Sequence, residues 1–432
     1  MERLQKALEE SQRSGKRQAA PFRKPKKAEP KTPGRKSGDD YGTQARRSVP
    51  EHIDERYDVP LPKCCPGCGC HDLSEESVQS QYQTDIPRRP LYRQFDIHLG
   101  RCNGCGQRVQ GRHELQTSDA LGAAASQIGP DLQAALTVCN KELGLSHGKA
   151  SRLFNRLFGL NVSRSTNCRA QSRLAKKLKP TYDQIGEQVR GSPFVVPDET
   201  GWRVNGETAW LHDFVTDGLA YYQIDPTRSA EPARNLLGDD WSGVLIHDGW
   251  SVYDRFTNAW HQQCLDHLSR RCRMLLETAV GGAVRFPRAV LELFGQAFSS
   301  RDRHAAGEIT AHGLRVIGGR LKRAMERLVT PVKSHAANER LAAHLEKHLE
   351  SLFTFLWFPG LDATNYRAEQ AIRPAVVNRK VWGGNRTWPG AEVQSILMTT
   401  IVTGTHQDID ILDFLKQALT SPVPILMPLP TR

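Results

Sequence analysis

Two short apolar runs in this chain each lead into an aspartate, Phe194-Val195-Val196-Pro197-Asp198 and Val244-Leu245-Ile246-His247-Asp248. Two strands that each end in an acid can set the two carboxylates side by side at one edge of a sheet. A third acid, Glu369, lies in Thr364-Asn365-Tyr366-Arg367-Ala368-Glu369-Gln370-Ala371-Ile372-Arg373-Pro374, which reads as a helix start that Thr364 or Asn365 can cap. Hard cations such as Mg²⁺ take oxygen ligands and keep several waters, so one or two carboxylates per ion suffice. Three carboxylates can serve two ions roughly 3.5–4 Å apart, an arrangement suited to in-line displacement at phosphorus. Spacing alone does not choose these three. Glu199 follows Asp198, Asp254 follows Asp248 and Asp362 precedes Glu369, and an acid after a strand is commonly a turn residue or a helix cap.

A second chemistry is written in cysteines. Cys65-Pro66-Gly67-Cys68 and Cys102-Asn103-Gly104-Cys105 are C-x-x-C pairs separated by 33 residues, and four thiolates so arranged suit a closed, structural Zn²⁺ site. The filler alternates in strand fashion at Phe95, Ile97 and Leu99 and can form a hairpin between the pairs; Cys64 and Cys70 are alternative ligands. Cys264 and His267, two potential ligands without partners, read as buried residues at a strand end and a helix start. His344 and His348 read as a solvated face opposite Leu341, Leu345 and Leu349.

These groups need elements to hold them. Residues 126–190 carry helical periodicity broken at Ser146-His147-Gly148 and Gly159-Leu160-Asn161, turns of helix-turn-helix type; Ser163 can cap a long helix. Such helices can read DNA, with Lys149, Arg152, Arg164 and Arg169 as contacts, or simply pack. Residues 194–224 switch to short strands separated by Asn205-Gly206 and Asp217-Gly218, both hairpin signals. A helix near 230–237 and the strand Gly243-Val244-Leu245-Ile246 complete a mixed α/β sheet, and 265–355 is helical in period.

With 432 residues the chain exceeds a single core, and its 59 Lys+Arg against 47 Asp+Glu give +12, a balance that favours a polyanionic partner. Residues 1–50 hold 14 basic and 6 acidic residues among Pro, Ser and Gly, a solvated tail or a phosphate-attracting one. Arg270, Arg271, Arg373, Arg379 and Lys380 flank the carboxylates and suit contacts with a DNA backbone. Trp382 and Trp388 can stack on an unpaired base or fill the core. No apolar run approaches the roughly 20 residues of a membrane span, and the N-terminus lacks the apolar core of a secretion signal. A cytosolic protein is expected, with ten cysteines reserved for metal or burial rather than disulfides.

Several ordered motifs go further. Asp198-Glu199-Thr200-Gly201-Trp202, His247-Asp248-Gly249-Trp250, Cys264-Leu265-Asp266-His267-Leu268-Ser269-Arg270-Arg271, and Asn365 through Pro374 followed by Asn378-Arg379-Lys380-Val381-Trp382 together resemble the insertion-sequence-sixty-six transposases of the DDE class. Trp250 stands where that family more often carries Tyr, and Tyr366 where a second Asn is common. The resemblance implies a multidomain α/β protein: a basic disordered tail (1–57), a zinc-binding domain (58–112), a helical DNA-binding region (113–190), an RNase H-like catalytic domain (191–404) with a helical insertion at about 268–358, and a C-terminal helix and tail (405–432). It assigns Asp198, Asp248 and Glu369 as catalytic ligands of two Mg²⁺ or Mn²⁺ ions, and Cys65, Cys68, Cys102 and Cys105 to Zn²⁺. The implied partners are the element's terminal inverted repeats and target DNA, a second copy in a homodimer or higher oligomer, and element-encoded accessory proteins, with no membrane. A regulator that binds DNA without cutting it and a nuclease that never joins strands are the rival expectations.

Overall fold

A computed structural model describes residues 50–117 and 127–428, which divide into two units between Arg89 and Pro90. Most of the basic tail therefore lies outside the described residues. The division falls within the stretch expected as one zinc-binding domain and separates its two cysteine pairs. In the first unit, residues 50–89 carry no regular secondary structure.

The second unit opens with a small antiparallel hairpin, β1 (Leu99–Arg101) and β2 (Arg108–Gln110). The alternation at Phe95 and Ile97 does not extend this hairpin, since both residues lie outside any strand. Three helices follow, α1 (Pro130–Lys141), α2 (His147–Phe158) and α3 (Arg164–Arg190). Their starts are chemically marked: Ser146 Oγ accepts from the Lys149 N–H and Ser163 Oγ from the Thr166 N–H, while Gly159 ends α2 in the left-handed region. Leu143 lies beyond the end of α1 and is exposed.

The central sheet has the order β5-β4-β3-β6-β7, built from β3 (Phe194–Val204), β4 (Glu207–Val215), β5 (Ala220–Asp225), β6 (Val244–His247) and β7 (Trp260–Gln263). The β3–β4 turn is Asn205-Gly206 with φ of 54° and 81°, the doubly left-handed geometry that makes Asn-Gly a hairpin signal. Strands β3, β4 and β5 are antiparallel neighbours, whereas β6 and β7 add in parallel and are reached through α4 (Glu231–Leu237).

After β7 the chain leaves the sheet through α5 (Leu265–Thr278), α6 (Arg285–Ala305), α7 (Ala311–Val329) and α8 (Ala336–Lys347), and returns as α9 (Tyr366–Trp382), α10 (Trp388–His406) and α11 (Ile411–Thr420). One sheet face, with Val196, Trp202, Leu211, Val215, Tyr222 and Ile246, packs on the helical insertion and α9. The other, with Val195, Phe214 and Leu245, packs on Ile185 and Val189 of α3 and on α4. Helix α10 covers the sheet edge: the Ala220 and Tyr222 N–H groups donate to Thr403 and Thr399 hydroxyls at 3.1 and 2.9 Å. That blunts a strand edge which would otherwise invite pairing with another chain.

Candidate active site

The parallel pair β3–β6 places Phe194 opposite Val244 and Val195 opposite Leu245. Asp198 and Asp248 each lie three residues beyond that second pair, so the sheet sets them on adjacent strands at the same height. Asp198 is not a strand end as expected. β3 continues to Val204 because its other edge stays paired to β4 through Val204; only the parallel pairing stops near Asp198. Asp248 follows β6 directly and its Oδ1 accepts from the Trp250 N–H at 2.9 Å. Gly249 makes this turn at φ 94°, where a Cβ would also come within 2.6 Å of Gln263 Oε1.

Glu369 stands in the first turn of α9, where the helix dipole favours an acid. Asn365 holds the cap position, without a side-chain cap bond. The helix is tied to the sheet at both ends: Tyr222 Oη donates to the Ala371 carbonyl at 2.6 Å, and the Arg379 guanidinium donates to the Gly201 carbonyl. Arg379, expected on DNA, is thus engaged in positioning α9 over β3.

Burial, helped by the charges of Glu199, Asp248 and Glu369, pushes Asp198 up to about 7 against the opposing Glu199 N–H bond. The three acids are therefore within electrostatic reach of one another. No three His, Cys, Asp or Glu side chains among the described residues close round a common ligating centre. Among the described residues neither Asp198 nor Asp248 has a cation partner, and Glu369 faces only His267 Nε2, at 3.5 Å. The neighbouring acids differ. Glu199 is nearly buried and receives Nε and Nη2 of Arg228 at 2.9 and 2.5 Å; Asp254 pairs with Lys347 at 3.1 Å; Asp362 pairs with Arg367.

Other site residues escaped the sequence reading. Asp213 on β4 is the register partner of Asp198, is fully buried, and among the described residues neither of its carboxyl oxygens has a hydrogen-bond partner. Burial first, then the charges of Asp198 and Glu199, hold it well above the usual carboxylate range. Its signal was an acid in the inward alternation Leu211, Asp213, Val215. His267 was assigned to a helix start, correctly, but one turn of α5 also brings it to Glu369. The expectation for His344 and His348 is overturned: His348 is buried, and its Nδ1 lies 3.3 Å from Gln263 Nε2. Desolvation holds His344 down at about 4. The insertion folds this helix face back onto the ends of β6 and β7, where His247 Nε2 and His261 Nδ1 are 3.1 Å apart.

Arg271, Arg373 and Lys380 are exposed, while Arg270 is exposed but paired with Asp266 at 2.8 Å. Trp382 is partly buried against the core, edge-on to Trp202 with centroids 5.8 Å apart, and Trp388 remains 44% exposed. The two cysteine pairs share one backbone form. Cys65 N–H bonds to the Cys70 carbonyl and Gly69 N–H to that of Cys65; Cys102 N–H bonds to the Gln107 carbonyl and Gly106 N–H to that of Cys102. Gly69 and Gly106 turn at φ 77° and 72°, and amide hydrogens within each loop hold the Cys65 and Cys102 thiols below their usual range.

No helix among the described residues is long and apolar enough to cross a membrane. The chain is 26% identical over 411 residues to the protein named Uncharacterized protein y4qI of Sinorhizobium fredii (strain NBRC 101917 / NGR234), a match covering 86% of this chain and 72% of that one. Residues 125–393, which hold the central sheet, the helical insertion and all three carboxylates, match the Transposase IS66 family. The chain belongs to that family.

Proposed function

We propose that this protein cuts the ends of its own insertion element and joins them to target DNA by phosphoryl transfer, with Asp198, Asp248 and Glu369 holding two Mg²⁺ or Mn²⁺ ions. The observation that carries this reading is the uneven charge balance: these three acids gather without a basic side chain other than His267, while Glu199, Asp254 and Asp362 beside them are each neutralised. Burial first, and then the charges of Glu199, Asp248 and Glu369, push Asp198 up to about 7; an acid so placed favours a divalent cation, and its oxygens suit a hard one. Such ions supply Lewis-acid stabilisation to the attacking and leaving oxygens of an in-line displacement. The chain's own residues align the rest. The sheet fixes Asp198 and Asp248, Arg379 and Tyr222 fix the helix of Glu369, and exposed Arg271, Arg373 and Lys380 offer charge to the DNA backbone.

The sheet order, three antiparallel strands followed by two parallel ones, supports an RNase H-like core. The matched loops support Zn²⁺ at Cys65, Cys68, Cys102 and Cys105 as a brace for DNA binding, with α1–α3 as the helical reader. Paired ends imply at least a dimer. Purified protein given Mg²⁺ or Mn²⁺ should nick a duplex carrying the repeats that bound its gene and insert the freed 3′ ends into a plasmid. Cleavage retained by Asp248→Asn would refute the site. Binding without cleavage under any divalent metal would make the protein a regulator, and cleavage without joined products a nuclease.

A further inference from the structure

Arg228 sits on Glu199, the residue next to Asp198, and nothing above gives it more than the task of neutralising that acid. Its guanidinium carbon lies 4.9 Å from the Trp210 ring and 4.5 Å from the Trp250 ring. Nε and Nη2 both donate to Glu199 Oε1, a carboxylate whose side chain is only 5% exposed and which Tyr253 Oη also approaches at 3.4 Å. Two of the three anchors adjoin a candidate ligand: Glu199 follows Asp198 in β3, and the Trp250 N–H is bonded to Asp248. Asp248 is close enough to help raise the Glu199 carboxyl, after burial.

An arginine recruited only to balance a buried acid would gain most by being buried with it. The Arg228 side chain is instead 43% exposed, and its Nη1 has no hydrogen-bond partner among the described residues. With two indoles already packed on its π-surface, the guanidinium has little flat area to offer a base; what it presents is N–H donors on an outer edge. Planar donors of fixed direction match a phosphate oxygen. Ordering the side chain in advance also removes most of the rotamer entropy that a free surface arginine loses on binding.

We propose that Arg228, clamped by Trp210, Trp250 and Glu199, is a positioning residue that grips one backbone phosphate of the DNA strand next to the one being cut. The proposal rests on the functional reading above. It predicts a contact with a single phosphate rather than general electrostatic attraction, and so it differs from the role of the exposed cations on α5 and α9.

The test is a phosphate-by-phosphate scan. A duplex carrying the element's terminal repeat is made with one neutral methylphosphonate at successive positions, and binding is measured in chelator with wild type and with the Glu199→Gln/Arg228→Gln double variant, which leaves no unpaired buried charge. Wild type should lose about fivefold to tenfold in affinity at one position near the cleavage point, the size of a lost charge-assisted contact, and the double variant should lose nothing further there. Every other sensitive position should persist in both proteins. Arg228→Lys should restore part of the sensitivity at that one position. Identical profiles for wild type and double variant, with cleavage by wild type intact, would overturn the phosphate contact alone. Absence of both sensitive phosphates and metal-dependent cleavage in wild type would bring down the functional reading and the proposal with it.

Discussion

Asp198 and Glu199 are consecutive on one strand, yet the two faces of the sheet treat them in opposite ways. Toward the insertion and α9, Asp198 meets Asp213, Asp248 and Glu369 and among the described residues no cation. Toward the face that Tyr253 packs on, Glu199 is buried with a guanidinium on it. Burial costs both acids, and only the second is compensated within the chain. On the proposed reading, that uncompensated cluster is where the divalent ions bind.

The comparison breaks most sharply in activity. Asp198→Asn or Asp248→Asn should lower cleavage by about a thousandfold or more, the several kcal/mol that a lost metal-binding carboxylate represents, with the circular dichroism spectrum unchanged. The same substitution at Asp198 should stabilise the metal-free protein. An acid raised to about 7 in the folded state contributes stability that is complete below its unfolded value near 4 and is lost as pH rises through about 7. Wild type in chelator should therefore lose up to about 4 kcal/mol between those limits, Mg²⁺ should restore it, and Asp198→Asn should show neither response in thermal melts. On the Glu199 face the effect should be smaller: burial raises that carboxyl too, but Arg228 opposes the shift, so Glu199→Gln should change stability in urea titration by no more than about 1–2 kcal/mol. Asp254→Asn, which breaks an exposed pair with Lys347, should cost less than about 0.5 kcal/mol by the same measurement.

Local signals wrote much of this architecture openly. Asn205-Gly206 made its hairpin, Ser146 and Ser163 capped their helices, and the apolar runs before Asp198 and Asp248 became neighbouring strands. What the residues could not reveal was which face each acid would meet, because the partners of Glu199, Asp254 and Asp362 are chosen by tertiary contacts. Arg228 lies 29 residues from Glu199, and Lys347 lies 93 from Asp254. The same limit explains His344 and His348, whose helix looked half solvated until the insertion folded it onto the sheet. Asp213 was hidden differently: it occupies an inward position of a strand, where alternation predicts an apolar residue and an acid reads as noise.

The long excursion between β7 and α9 also has a consequence in time. Glu369 is made well after Asp248, and at roughly 5–20 residues per second the delay amounts to several seconds or more of synthesis. During that interval a nascent chain can already pair its strands around Asp198 and Asp248, yet it lacks the third acid and the helix that Arg379 and Tyr222 tether. On the proposed reading, a copy that stops before Glu369 would be unable to cut DNA.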